Sequence, residues 1–248
     1  MVCRSKGGKS ELKRLSRKDL EAMAERVVRA YMKLPELQNT SVSKIDPEVF
    51  SSNLLHLNVQ YARLTASGTI LGLTSFEPTP LETLDGIIQL DSKTVLIESA
   101  LNDETGNIGR RNFTIMHEAC HQVLKMFFPN DYGRRAHEFC PVPIHCCRAE
   151  PRHRDRICDW EEWQTNALAS AVFLPRSLVD KAMDSVGLTG KIKRLNKLFF
   201  KDEYEKFLAM TEILGCSQMA LSIRMKQLGL IGESYLDNPY RMLDVEVD

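Results

Sequence analysis

Apolar positions recur with a helical period at the start of the chain, switch to strict alternation after residue 57, and return to a helical period after residue 107. Ser16, followed three residues later by Asp19, forms a capping-box start. The helix it opens should run through Leu20, Ala24, Val27, Val28 and Tyr31 to Leu34, where Pro35 stops it. Asp46 followed by Pro47 marks a second, short helix through Val49, Phe50 and Leu54. Leu57, Val59 and Tyr61 then alternate with polar neighbours. A turn at Ala66-Ser67-Gly68 leads into Ile70-Leu71-Gly72-Leu73, which predicts a hairpin. Gly86 to Leu90 and Val95 to Ser99 are two further strands, and a small, mostly antiparallel sheet is the expected sum.

After residue 107, Phe113, Met116, Cys120, Val123, Leu124 and Phe127 form one apolar stripe at spacings of three and four, ended by Pro129. Residues 131 to 158 break every period, with three prolines, four cysteines and three histidines. Trp160 to Leu174 is helical again and closed by Pro175. Everything from Arg176 onward reads as helix, broken at Gly187, Gly190, Gly215 and Gly229.

The long helix carries His117-Glu118-Ala119-Cys120-His121. Residues four apart lie one turn apart and about 40° around the helix, so both imidazoles can reach one ion. A carboxylate beside such a pair can take the proton of an attacking water, which is the mechanical content of the HExxH zinc-protease motif. A catalytic zinc needs a third protein ligand and one open position. Glu162 on the following helix is the candidate, with Glu161 about 100° away as its competitor.

The runs Asn112-Phe113-Thr114-Ile115-Met116-His117-Glu118-Ala119-Cys120-His121-Gln122 and Glu162-Trp163-Gln164-Thr165-Asn166-Ala167-Leu168-Ala169, with Phe173-Leu174-Pro175, resemble the ImmA/IrrE family of metallo-endopeptidases. The family's first run has the form FTxxHExxH. In its second, a Glu precedes a small residue by three, an Asn by four and a Pro by thirteen, offsets met here by Glu162, Thr165, Asn166 and Pro175. The resemblance therefore selects Glu162 over Glu161. It extends over Ser67 to Thr74, Leu214 to Ser217 and Leu228 to Leu230, or roughly residues 45 to 231. Thr165 and Leu168 depart from it, standing where Ala and Phe are common, and the cysteine-rich stretch has no counterpart.

The resemblance implies an α+β, zincin-like fold: a basic tail and N-terminal helix over residues 1–44, a zinc peptidase domain over 45–185, and a helical, helix-turn-helix-like subdomain over 186–248. It implies Zn2+ held by His117, His121 and Glu162, with Glu118 as the catalytic base. The implied activity is cleavage of a helix-turn-helix repressor, which relieves repression of genes on mobile elements or in stress responses. Two other readings stay open: a DNA-binding or repressor-binding regulator with a lapsed peptidase centre, and a zinc protease of broader substrate range. Tyr132, Tyr204 and Tyr235 are the candidate oxyanion partners, and Val95 to Ser99 is the candidate edge strand for an extended substrate.

Charge and composition narrow the partners. Lys and Arg number 33 against 33 Asp and Glu, so no global field favours nucleic acid. Seven basic residues in the first 18, opposed by Glu11 alone, read as a solvated tail. Thr211 to Leu228 has the layout of a helix, a Gly turn, a Ser cap and a second helix. That second helix carries only Arg224 and Lys226 as basic residues, so packing or repressor docking is preferred to DNA binding. No apolar run approaches 18 residues, and the seven cysteines are odd in number with four of them crowded between 140 and 158, so a cytoplasmic protein without a membrane span is expected. His137, Cys140, His145, Cys146, Cys147, His153 and Cys158 lack a CxxC spacing, and free thiols are preferred to a second zinc site there. Cys120 reads as core packing, as do Trp160 and Trp163 beside the third ligand.

Overall fold

The computed structural model describes residues 14–103, 108–132, 144–148 and 158–243. Helix α1 (Arg17–Tyr31) opens on the expected capping box: Ser16 Oγ accepts from Asp19 N at 3.2 Å, and Asp19 Oδ2 accepts from Ser16 N at 2.9 Å. It ends three residues before Leu34. A proline disfavours the α conformation at the residue preceding it, and Leu34 is accordingly extended, with ψ of 137°. Asp46 caps α2 (Pro47–Val49) by accepting from Glu48 N and Val49 N, and a single π-helical turn, Phe50–Leu54, continues it.

The main sheet differs from the expected hairpin. Strands β1 (Asn58–Ala62) and β2 (Ile70–Ser75) are not neighbours, because β5 (Thr94–Glu98) lies between them, parallel to β1 and antiparallel to β2. Hydrophobic burial decides this order. All five residues of β5 are buried, with Val95 and Ile97 facing the helices and Leu96 the opposite side, so the strand is stable only in the interior. The edge is taken instead by β6 (Ile144–Arg148), antiparallel to β2 with Leu73 opposite Cys146. Val95 to Ser99 is thus an internal strand and not the open edge expected for substrate pairing. The two edges are β1 and the segment read as irregular.

Strands β3 (Thr79–Thr83) and β4 (Gly86–Leu90) form a separate antiparallel hairpin, in which Gly86 takes a φ of 114°. The hairpin is tied to the end of β1 by Asp85, which accepts from Arg63 N at 2.8 Å and Nε at 2.6 Å. Ala62, Leu64, Leu73, Leu90 and Leu96 form a small core on this face of the sheet.

Helix α3 (Ile108–Phe127) covers the opposite face, burying Met116, Cys120, Val123 and Leu124 of the expected stripe. Gln122 locks it to the sheet by donating from Nε2 to Thr74 Oγ1 at 2.7 Å and the Ser75 carbonyl at 2.8 Å. Helix α4 (Cys158–Phe173) packs against both α1 and α3. Part of the join to α1 is the Leu15 amide, which donates to Gln164 Oε1 at 2.7 Å. Helix α5 (Arg176–Ser185) starts from Pro175.

The C-terminal part is not wholly helical. Strands β7 (Ile192–Leu195) and β8 (Ile231–Ser234) pair in parallel, and at four residues each they are too short to show a period in the sequence. Between them run α6 (Lys201–Leu214) and α7 (Gln218–Gln227). Gly215 ends the first in the left-handed region at φ 65°, and Ser217 Oγ caps the second by accepting from Ala220 N. The turn between them abuts the start of α3, where Asn112 Nδ2 donates to the Gly215 carbonyl at 2.9 Å. Any side chain at Gly109 would overlap the Cys216–Ser217 backbone. The whole is a mixed α+β fold with small sheets, and no helix is long and apolar enough to cross a membrane among the described residues.

Candidate metal centre

The expected ligands converge. His117 and His121, one turn apart on α3, are both 1% exposed, and their Nε2 atoms lie 3.0 Å apart. Glu162, from the second turn of α4, straddles the pair, with Oε2 at 3.2 Å from His117 Nε2 and Oε1 at 3.4 Å from His121 Nε2. Zinc bonds of about 2.0–2.2 Å in a tetrahedron place donor atoms about 3.3 Å apart, so the three separations match one ion shared by three ligands. These residues could bind a metal ion, and they form the one such group of three or more among the described residues. The Glu162 side chain is 33% exposed, which opens the site to solvent on that side.

The hydrogen bonds behind the imidazoles fit the same purpose. Asn166 Oδ1 is an acceptor only, so His117 Nδ1, 3.1 Å away, must carry the ring proton. Thr165 Oγ1 lies 3.3 Å from His121 Nδ1. These contacts hold the two rings so that their Nε2 atoms face one another and the Glu162 carboxylate. Thr165 and Asn166 carried no assigned role at the sequence level. Their spacing, three and four residues after Glu162, places them on the ligand face of α4 and could have marked them.

Glu118 is fully buried on the α3 side facing β2. Gly72 of β2 makes that approach possible: an ideal Cβ there would lie 2.8 Å from Thr114 Cγ2, 3.1 Å from Glu118 Cγ and 3.2 Å from Glu118 Oε1. Glu161 is 2% exposed on the adjoining face of α4. Burial first, then the charges of Glu161 and Asp131, push the Tyr132 phenol well above its usual range.

Of the three tyrosines considered for an oxyanion, Tyr204 donates its hydroxyl to Gln218 and Tyr235 to Glu233. Both are thereby held in the C-terminal part. Tyr132 is fully buried with its ring against Phe128. Burial also pushes the Cys120 thiol far above its ordinary value, consistent with an inert packing group. Trp160 and Trp163 stack on one another at 4.7 Å, with Arg17 over the Trp163 ring.

Arg224 does not belong to a nucleic-acid footprint. It is 1% exposed, its Nε donates to the Leu174 carbonyl at 2.9 Å, and both terminal nitrogens bind the Glu21 carboxylate. Lys226 is left as the one exposed basic side chain of α7. Of the cysteine- and histidine-rich stretch, His137, Cys140 and His153 lie outside the described residues. His145, Cys146 and Cys147 fall on the backbone of β6, and Cys158 opens α4. Compared with models of known protein families and with curated proteins, the chain matches none.

Proposed function

We propose that the protein is a zinc-dependent endopeptidase of the zincin kind, akin to the ImmA/IrrE enzymes it resembles, and that it cuts a helix-turn-helix repressor to relieve repression. The observation that carries this reading is the convergence of His117 Nε2, His121 Nε2 and the Glu162 carboxylate within bonding range of one ion, beside a buried Glu118. Bound there, zinc would supply Lewis acidity toward a peptide carbonyl and toward water.

The chain's own residues do the rest. His117 and His121 bind through Nε2, and Asn166 holds the His117 ring by its Nδ1 proton. Glu118 takes a proton from the attacking water at its carboxylate and delivers it to the amide nitrogen as the carbon–nitrogen bond breaks. Gly72 leaves room for Glu118 to stand between helix and sheet. The turn between α6 and α7 is packed on the start of α3, so this helix pair serves first as a packing module of the fold. The burial of Arg224 disfavours DNA reading by this helix pair.

Co-expression with a repressor encoded by an adjacent gene, read by intact mass, tests the reading. Wild type should give one cut in one partner. Glu118→Gln should retain metal and lose at least about a hundredfold in cleavage rate, the low end for removing a general base. Cleavage by the variant at the wild-type rate would remove Glu118 from its role. Many cuts in casein-like chains would replace the repressor by a broad substrate range.

A further inference from the structure

Thr165 is fully buried on α4, with Oγ1 2.9 Å from the Glu161 carbonyl oxygen and 3.3 Å from His121 Nδ1. A hydroxyl carries one proton, and a carbonyl can only accept. The shorter contact therefore uses the hydroxyl proton and leaves lone pairs alone to face the imidazole. His121 Nδ1 is then the donor in this contact, and Nε2 is the ring nitrogen that faces His117 and Glu162.

Resting on the metal-binding reading of His117, His121 and Glu162, we infer that Thr165 is a positioning residue for the metal. By accepting the His121 Nδ1 proton it sets the tautomer and the ring plane in which Nε2 offers its lone pair to a divalent cation. A partner of this kind on the far nitrogen of a ligating histidine fixes ring orientation and raises ligand basicity. Asn166 does the same for His117 through its amide oxygen. One turn of α4 thus supplies a ligand, Glu162, and the orienting groups for both imidazoles. A threonine that merely bonds back to the carbonyl four residues earlier is common in helices. It would explain the Glu161 contact but would leave His121 indifferent to the loss of the hydroxyl.

The two cases separate on zinc affinity, measured by chelator competition on the full chain. Thr165→Val keeps the shape and removes the hydroxyl, and it should weaken zinc binding about 10- to 100-fold. Thr165→Ser should restore binding to near the wild-type value. In zinc-free wild type, histidine side-chain 15N spectra should show His121 in the Nδ1-protonated form, a readout that stands even if the valine variant fails to fold. Wild-type affinity in Thr165→Val, or a His121 with Nδ1 unprotonated, would overturn the role of Thr165 and leave the metal site standing. Absence of zinc binding by the wild type would instead remove the metal site and this role together.

Discussion

A single methyl group at Gly72 probes how closely sheet and helix meet at the candidate site. The added Cβ of Gly72→Ala would press on Thr114 Cγ2 and Glu118 Cγ. The expected cost is about 1–3 kcal/mol in a denaturant titration, as for other overpacked interiors, together with slower cleavage because Glu118 is displaced. An unchanged unfolding midpoint would show that the strand stands farther from the helix. The histidine pair was legible in the sequence because a helix converts a spacing of four into proximity without tertiary information. Choosing Glu162 over Glu161 was not, since adjacent residues on one helix differ only in which neighbour they face. It took the resemblance to prefer one, and the packing of α4 against α3 gives the geometry for it. Spacing from Glu162 could mark Thr165 and Asn166 but not assign their roles, and Gly72 carried no mark, because each role is defined by an atom on another element.

Elements with strong local signals formed where the pattern placed them, as the Ser16 capping box and the Asp46-Pro47 start show. Strand pairing was less legible, because alternation identifies a strand without naming its neighbour. The partly exposed β1 and the fully buried β5 illustrate this, since only the packing of both sheet faces puts β5 inside. The sequence Ile144-His145-Cys146-Cys147-Arg148 does not alternate, and its strand character comes from the β2 edge it covers. The helix-turn-helix layout was also readable, but Arg224 changes its meaning by joining α7 to α1 and to the end of α4. Arg224→Ala should therefore destabilise the fold by about 1.5–3 kcal/mol, the range for charge-assisted hydrogen bonds, when followed by urea unfolding. Any affinity for duplex DNA should be unchanged, and a loss of DNA binding without loss of stability would return Arg224 to a recognition surface.

For the whole molecule, the N-terminal helix, α3 and α4, and the C-terminal helices share one hydrophobic core, so the geometry of the His117-His121-Glu162 group depends on packing drawn from most of the chain. Balanced charge leaves the choice of partner to local surfaces and not to a global field. The central claim is that α3 and α4 together grip one divalent ion through two imidazoles and one carboxylate. The most direct test is the zinc content per chain of purified wild type and Glu162→Ala after both are loaded with zinc and dialysed. One zinc per wild-type chain and a clear deficit in the variant are predicted. Full occupancy in Glu162→Ala would contradict the assignment.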